Sequence, residues 1–164
     1  MHNGGMQERK PLKIHAYSKK LVKHNVPTMM QSEKIILAKE EQKRLNRLLI
    51  IASEEGETAD IPRLVKANAD IMVRENVKYG WTALHAATHQ NRIQACAMLI
   101  REYARLGGDV NGLISATDNF GKTALQYAIE DKYTETARFL ESMEWLLELT
   151  GKEFMKSFSE CVAA

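Results

Sequence analysis

Apolar residues return at intervals of three and four through most of this chain, the period of helices that bury one face. In "IQACAMLIREYARLGGDV" the residues Cys96, Leu99 and Ile100 fall together in this way. The segments "IPRLVKANADI" and "TETARFLESMEWLL" are amphipathic in the same sense, and "EKIILAKEEQKRLNRLL" carries Glu40, Glu41, Lys43 and Arg44 as surface charges. An all-α protein is predicted. Two helix starts have the capping-box spacing. One is Thr28 with Gln31, just after Pro27; the other is Thr150 with Glu153, opening "GKEFMKSFSECV", where Phe154, Phe158 and Cys161 or Val162 share a face.

Between the amphipathic segments the chain repeats itself. "GWTALHAATHQN" and "GKTALQYAIEDK" both read Gly, one residue, Thr, Ala, Leu, a polar residue, one residue, Ala; "LIIASEEG", from Leu49 to Gly56, keeps the Leu, the Ala and the final Gly. An amphipathic segment follows each, so three two-helix units succeed one another. Self-similarity of this kind marks an array in which stacking neighbours bury a continuous core.

These motifs resemble the ankyrin repeat family over roughly residues 46 to 147. The middle unit supplies Gly80, Thr82, Leu84, His85 and Ala87, closing with Gly108, Asp109, Val110 and Asn111. The third supplies Asp118, Gly121, Thr123, Leu125 and Ala128, with Gln126 where the family has its histidine. The first has Leu49, Ala52, Gly56, Ile61, Leu64 and Val65, then "NADI" at Asn68 to Ile71. The resemblance implies a solenoid of helix-turn-helix repeats with short β-hairpin loops, in which His85 hydrogen-bonds backbone in the adjoining hairpin.

The residue types suit those positions. Threonine can cap a helix start, small alanines let helices approach, and Asn68 with Gly107 or Gly108 can take the left-handed conformation that ends a second helix. Pro62, near the start of the first unit's second helix, lacks an N–H that would be unpaired there anyway. The departures are Ala83 and Ala124 in place of the family's proline, and Asn91 and Lys132 where glycine usually ends the inner helix. Leu49, Leu84 and Leu125 are separated by 35 and 41 residues, against a family period of about 33. The surplus lies in "REYARL", about one extra helical turn, and in "GLISAT", which makes Gly112 to Thr117 a candidate contact segment.

The expected organisation is a basic tail over 1–27 and a repeat domain over 28–150. Within that domain come an N-terminal capping helix, 28–45, running into the first repeat, and repeats near 46–76, 77–117 and 118–150; a C-terminal capping helix, 151–164, folds back over the third repeat. Caps are needed because end repeats otherwise expose an apolar face.

Composition changes this picture little. With 164 residues, 45% hydrophobic and 27% charged, the chain fits one ordinary globular domain. No apolar run approaches the roughly 20 residues of a membrane span. No signal-peptide segment is recognisable, so a cytoplasmic, monomeric protein is expected. Its two cysteines, Cys96 and Cys161, are read as free thiols. The net charge of +2 conceals a basic N-terminus, where Arg9, Lys10, Lys13, Lys19, Lys20 and Lys23 face only Glu8. That tail supports an alternative reading as a nucleic-acid or anionic-surface binder.

His85 and His89 stand four apart, a spacing that zinc sites use, yet the residues between them are Ala-Ala-Thr and no third ligand has a telling spacing. An enzyme or metal protein using this pair is therefore the lesser alternative. Phosphate loops, nucleophile elbows and Cys-x-x-Cys pairs are absent from the sequence. No catalytic residue, cofactor or metal is expected. Aromatics stand out instead: Tyr79 and Trp81 flank Gly80, and Phe120 precedes Gly121, at the hairpin tips the resemblance implies. They are the expected hot spots for a protein or peptide partner. Packing on the neighbouring hairpin is the competing reading, above all for Trp81. Around them the concave set implied by the family comprises Glu54, Glu55, Lys78, His89, Gln90, Asn119, Lys122, Glu130 and Asp131.

Overall fold

The structure, a computed structural model, describes residues 31–74 and 78–161. Its helices are α1 (Gln31–Glu55), α2 (Asp60–Lys66), α3 (Ala83–His89), α4 (Ile93–Arg105), α5 (Val110–Ile114), α6 (Ala124–Glu130) and α7 (Thr134–Cys161). The chain divides into two units: Met1–Ile36, of which 31–36 are described as the start of α1, and Leu37–Ala164, which holds every other element. The basic tail and the Thr28 capping box lie outside the described residues.

Three helix pairs form the array: the C-terminal part of α1 with α2, α3 with α4, and α6 with α7. The inner helices α3 and α6 pack side by side, as do the outer helices α4 and α7. The same turn ends each inner helix. Gly56 (φ 78°), Asn91 (φ 53°) and Lys132 (φ 60°) are left-handed, and the next residue's N–H reaches back to an alanine carbonyl, Glu57 to Ala52, Arg92 to Ala87 and Tyr133 to Ala128, all at 2.8 Å. Such a bond satisfies a carbonyl that the helix end leaves open. Asn68 and Gly107 do the same for α2 and α4.

Helix starts are equally regular. Thr82 and Thr123 have extended backbone and form capping boxes with His85 and Gln126. Gln126 substitutes for the histidine because its Oε1 accepts from the Thr123 N–H at 2.8 Å. One core runs through all three units, from Leu49 and Ala52 through Ile61, Leu64, Leu84, Leu99 and Ile100 to Leu140 and Met143. Leu84 is fully buried, whereas Leu125 at the matching position is half-buried.

Two expectations are refined. Gly112 to Thr117 is not all loop: Ser115 and Thr117 are exposed, but Gly112 to Ile114 close α5, with Leu113 and Ile114 buried against α4 and α7. Those two apolar side chains find cover that solvent would deny them. Nor does a helix start at Thr150, because α7 continues through it to Cys161. A lone Gly151 costs a helix only about 1 kcal/mol, and no proline interrupts the run. The side chains of Phe154 and Phe158 lie outside the described residues. At the other end α1 is continuous across position 45, so the capping segment and the first inner helix are one element.

Candidate partner-binding surface

The hairpin before α6 is built around one carboxylate. Asp118 is buried, and its Oδ1 accepts from the N–H groups of Phe120 (2.8 Å) and Lys122 (2.9 Å), closing the turn. Its Oδ2 accepts from the Tyr127 hydroxyl at 2.6 Å. Burial would raise this carboxyl's pKa, but the hydrogen bonds from Tyr127, Lys122 and Phe120 outweigh it and hold the group below its ordinary value. Thr117 and Thr123 pair across the hairpin, the one isolated β-bridge among the described residues. The Asn119 N–H donates to the Tyr79 carbonyl at 2.8 Å, locking this hairpin to the preceding turn.

Gly80 is required at that junction. It has φ 69°, and a Cβ there would lie 2.2 Å from Asn119 Oδ1. Asn119 Nδ2 meanwhile donates to the Lys78 carbonyl at 3.3 Å.

His85, buried on α3, supplies the second lock. Its Nε2 lies 3.1 Å from the Lys122 carbonyl, which can only accept, so Nε2 carries the proton and Nδ1 accepts from Thr82. Burial pushes the imidazole pKa down, with the Lys122 hydrogen bond opposing. The backbone bond that the resemblance implied is present, and with both ring nitrogens engaged His85 has none left for a metal.

The aromatic residues meet in one row. Tyr79 lies with its ring centroid 5.1 Å from Trp81 and 6.1 Å from Phe120, and Trp81 lies 4.8 Å from His89 and 5.6 Å from Tyr127. Trp81 Nε1 donates to the Tyr127 hydroxyl at 3.4 Å. Tyr79 and Trp81 are therefore half-buried, whereas Phe120 remains 62% exposed. Trp81 packs on the inner helices, against His89 of α3 and Tyr127 of α6, rather than on the neighbouring hairpin, and Phe120 stays exposed.

Charged residues border the row. Lys122 Nζ sits 2.6 Å from Glu130 Oε2 and 5.5 Å from the Tyr127 ring centroid, and Lys78 Nζ lies 4.9 Å above the Tyr79 ring. His89 Nδ1 lies 3.3 Å from Asp131 Oδ2, within ion-pair distance once the imidazole is protonated but without hydrogen-bond alignment. Gln90 is exposed at the C-terminus of α3. Glu54, at the position of α1 equivalent to His89, has its pKa raised by burial and then by Glu55.

Sequence reasoning passed over Tyr127, the residue that joins this surface together. Its ring contacts Trp81, His85 and His89 while its hydroxyl bonds Asp118. The signal was legible: Tyr127 stands where the middle unit has Ala86. A large aromatic at this inner-helix position occupies space beside the neighbouring inner helix, against His85 and His89 of α3.

Elsewhere Cys96 is fully buried against Thr88, and burial raises its pKa to about 11, the condition of an inert core thiol. Among the described residues no group of three His, Cys, Asp or Glu side chains is placed to hold a metal ion, and no helix is long and apolar enough to cross a membrane.

The model of ankyrin repeats, in three copies, matches residues 49–149. Two curated relatives are similar over part of this chain. Palmitoyltransferase AKR1 of Yarrowia lipolytica is 36% identical over 67 residues, which is 39% of this chain and 9% of that protein. Target of rapamycin complex 2 subunit AVO2 of Saccharomyces cerevisiae is 29% identical over 104 residues, 63% of this chain and 22% of that protein. The chain thus spans less than a quarter of the length of either.

Proposed function

The chain belongs to the ankyrin repeat family, and from that premise we propose that it is a non-catalytic interaction module docking a protein or peptide on its hairpin tips and inner-helix ends. The contact set is Phe120, Tyr79 and Trp81 with Lys78, His89, Gln90, Asn119, Lys122, Glu130 and Asp131. The observation that carries this reading is Phe120. A phenyl ring 62% exposed stands on a hairpin fixed by Asp118 and by the Asn119 bond to Tyr79. A rigid, exposed aromatic contributes contact area with little ordering cost, the property of interface anchors.

Tyr79 and Trp81 then have a supporting role, shaping the wall beside Phe120. Lys122 and His89 already face Glu130 and Asp131. Such pairs set orientation more than affinity.

The test is affinity capture from a lysate with wild type beside Phe120→Ala and the Tyr79, Trp81, Phe120 triple-alanine variant, each first checked for folding by circular dichroism. A partner retained by wild type and lost with Phe120→Ala supports the reading. Equal retention by both folded variants and wild type moves binding off this surface.

A further inference from the structure

His89 closes α3, with its ring 4.8 Å from Trp81 and 6.1 Å from Tyr127. Its Nδ1 is buried and makes no hydrogen bond, although Asp131 Oδ2 stands 3.3 Å away. The two side chains are 41% and 34% exposed, so either can turn into line with the other. Histidine is the side chain whose charge changes between about pH 5 and 8. Once protonated, the ring offers an Nδ1–H to the carboxylate, and such a charge-assisted bond is roughly twice as strong as a neutral one.

Other charged and titratable groups surround the pair. Lys122 Nζ holds Glu130 at 2.6 Å, and Arg92 Nε donates to the Glu54 carbonyl at 3.1 Å. His85, one turn earlier on α3, has both ring nitrogens engaged, and the Tyr127 hydroxyl is bonded to Asp118. Cys96 of α4 touches Thr88 and keeps its proton, because burial raises its pKa to about 11. From α1, Glu54 lies close enough that His89 opposes the rise in its pKa imposed by burial and then by Glu55. Lys132 follows Asp131 and is exposed. Asp131 is thus the carboxylate placed for His89 to bind.

We propose that His89 controls access to Asp131: neutral, it leaves the carboxylate open to a lysine or arginine of a basic partner peptide, and protonated, it takes that carboxylate itself. This rests on the docking of a partner at these inner-helix ends. An ionised carboxylate can only accept, so a partner group that meets Asp131 must donate, and the imidazolium competes for the same oxygens. The positive charge gained beside Trp81 also repels a cationic partner residue. Both effects weaken binding in acid.

The full-length protein carrying Trp145→Phe retains Trp81 as its one indole, and an imidazolium in contact with an indole quenches its emission. That emission should fall as pH is lowered from 8 to 5.5, and the fall should be absent after His89→Gln. Urea unfolding of wild type, His89→Gln, Asp131→Asn and the double variant forms a cycle that isolates the pair. Its coupling should be about threefold in the unfolding constant at pH 5.5, the size of an exposed ion pair, and should vanish at pH 8. A rhodamine-labelled Lys-rich peptide, followed by anisotropy, should bind wild type about threefold more weakly at pH 5.5 than at pH 8, with no such change in Asp131→Asn. The proposal is overturned if the emission change survives His89→Gln, if the coupling is equal at both pH values, if wild type does not bind the peptide, or if its affinity ignores pH. Should Phe120→Ala leave peptide affinity intact while the other results hold, the Phe120 anchor fails and the control by His89 stands.

Discussion

His85 donates its Nε2 proton to the carbonyl of Lys122, 37 positions further along the chain and 3.1 Å away. This single bond joins the inner helix of the middle unit to the hairpin of the third. Because burial lowers the imidazole pKa in the folded protein, the unfolded chain takes up a proton that the folded state resists. Stability therefore falls as pH drops below the unfolded value of about 6.5 and levels off beneath the folded one. His85→Gln should remove that contribution. The glutamine can cap the helix as Gln126 does, but the variant should lose about 1 kcal/mol at pH 7.5 with the hairpin bond. Urea unfolding of both proteins between pH 7.5 and 5 measures the difference; an unchanged slope refutes the role.

Asp118 acts in a lower window. Its folded pKa is depressed, so its stabilisation is fully present above the unfolded value of about 3.9 and disappears as pH falls through the folded one. Asp118→Asn should flatten the loss of stability below pH 4. At neutral pH it should cost roughly 1 to 3 kcal/mol, since three charge-assisted hydrogen bonds are weakened at a buried group. Thermal melts at pH 7 and pH 3 check both parts.

Lys132 holds a left-handed backbone at φ 60°, where the first unit uses Gly56. An L-residue pays roughly 1 to 2 kcal/mol in that conformation, and glycine returns part of this as extra freedom when unfolded. Lys132→Gly should therefore stabilise the protein by about 0.5 kcal/mol. Asn91→Gly should not follow suit, because Asn91 Oδ1 accepts from Thr136 Oγ1 at 2.7 Å and that bond would go. Denaturation midpoints of the two variants should move in opposite directions.

These residues also show what could be read in the chain beforehand. Thr82, Leu84 and the turn residues Gly56, Asn91 and Lys132 act through local geometry repeated in each unit, so the repeat and the family resemblance placed them, and the resemblance alone implied the bond of His85 to the adjoining hairpin. The aromatic row was half legible: Tyr79, Trp81 and Phe120 fall together, but Trp81 packs on Tyr127, a contact between residues 46 positions apart. Exposure depends on such neighbours, and no periodicity within one unit reports them. The burial of Leu113 and Ile114 within the Gly112 to Thr117 segment escaped the sequence for the same reason, since the cover they find comes from α4 and α7.

Leu84 and Phe120 separate folding from recognition. Leu84 is fully buried in the shared core, and its replacement by alanine should cost about 2 to 5 kcal/mol through lost burial and the cavity left behind. Phe120 is 62% exposed, so Phe120→Ala should change stability by no more than about 0.5 kcal/mol. Its effect on partner affinity should be far larger, at least about tenfold if the ring is an anchor. Trp81→Ala falls between them, lowering both stability and binding because its ring supports Tyr79 and Tyr127. Urea midpoints and partner affinity, measured on the same three variants, decide the assignment. Should Phe120→Ala destabilise the fold as much as Leu84→Ala, the ring belongs to the core and the recognition surface must be sought elsewhere on the repeats.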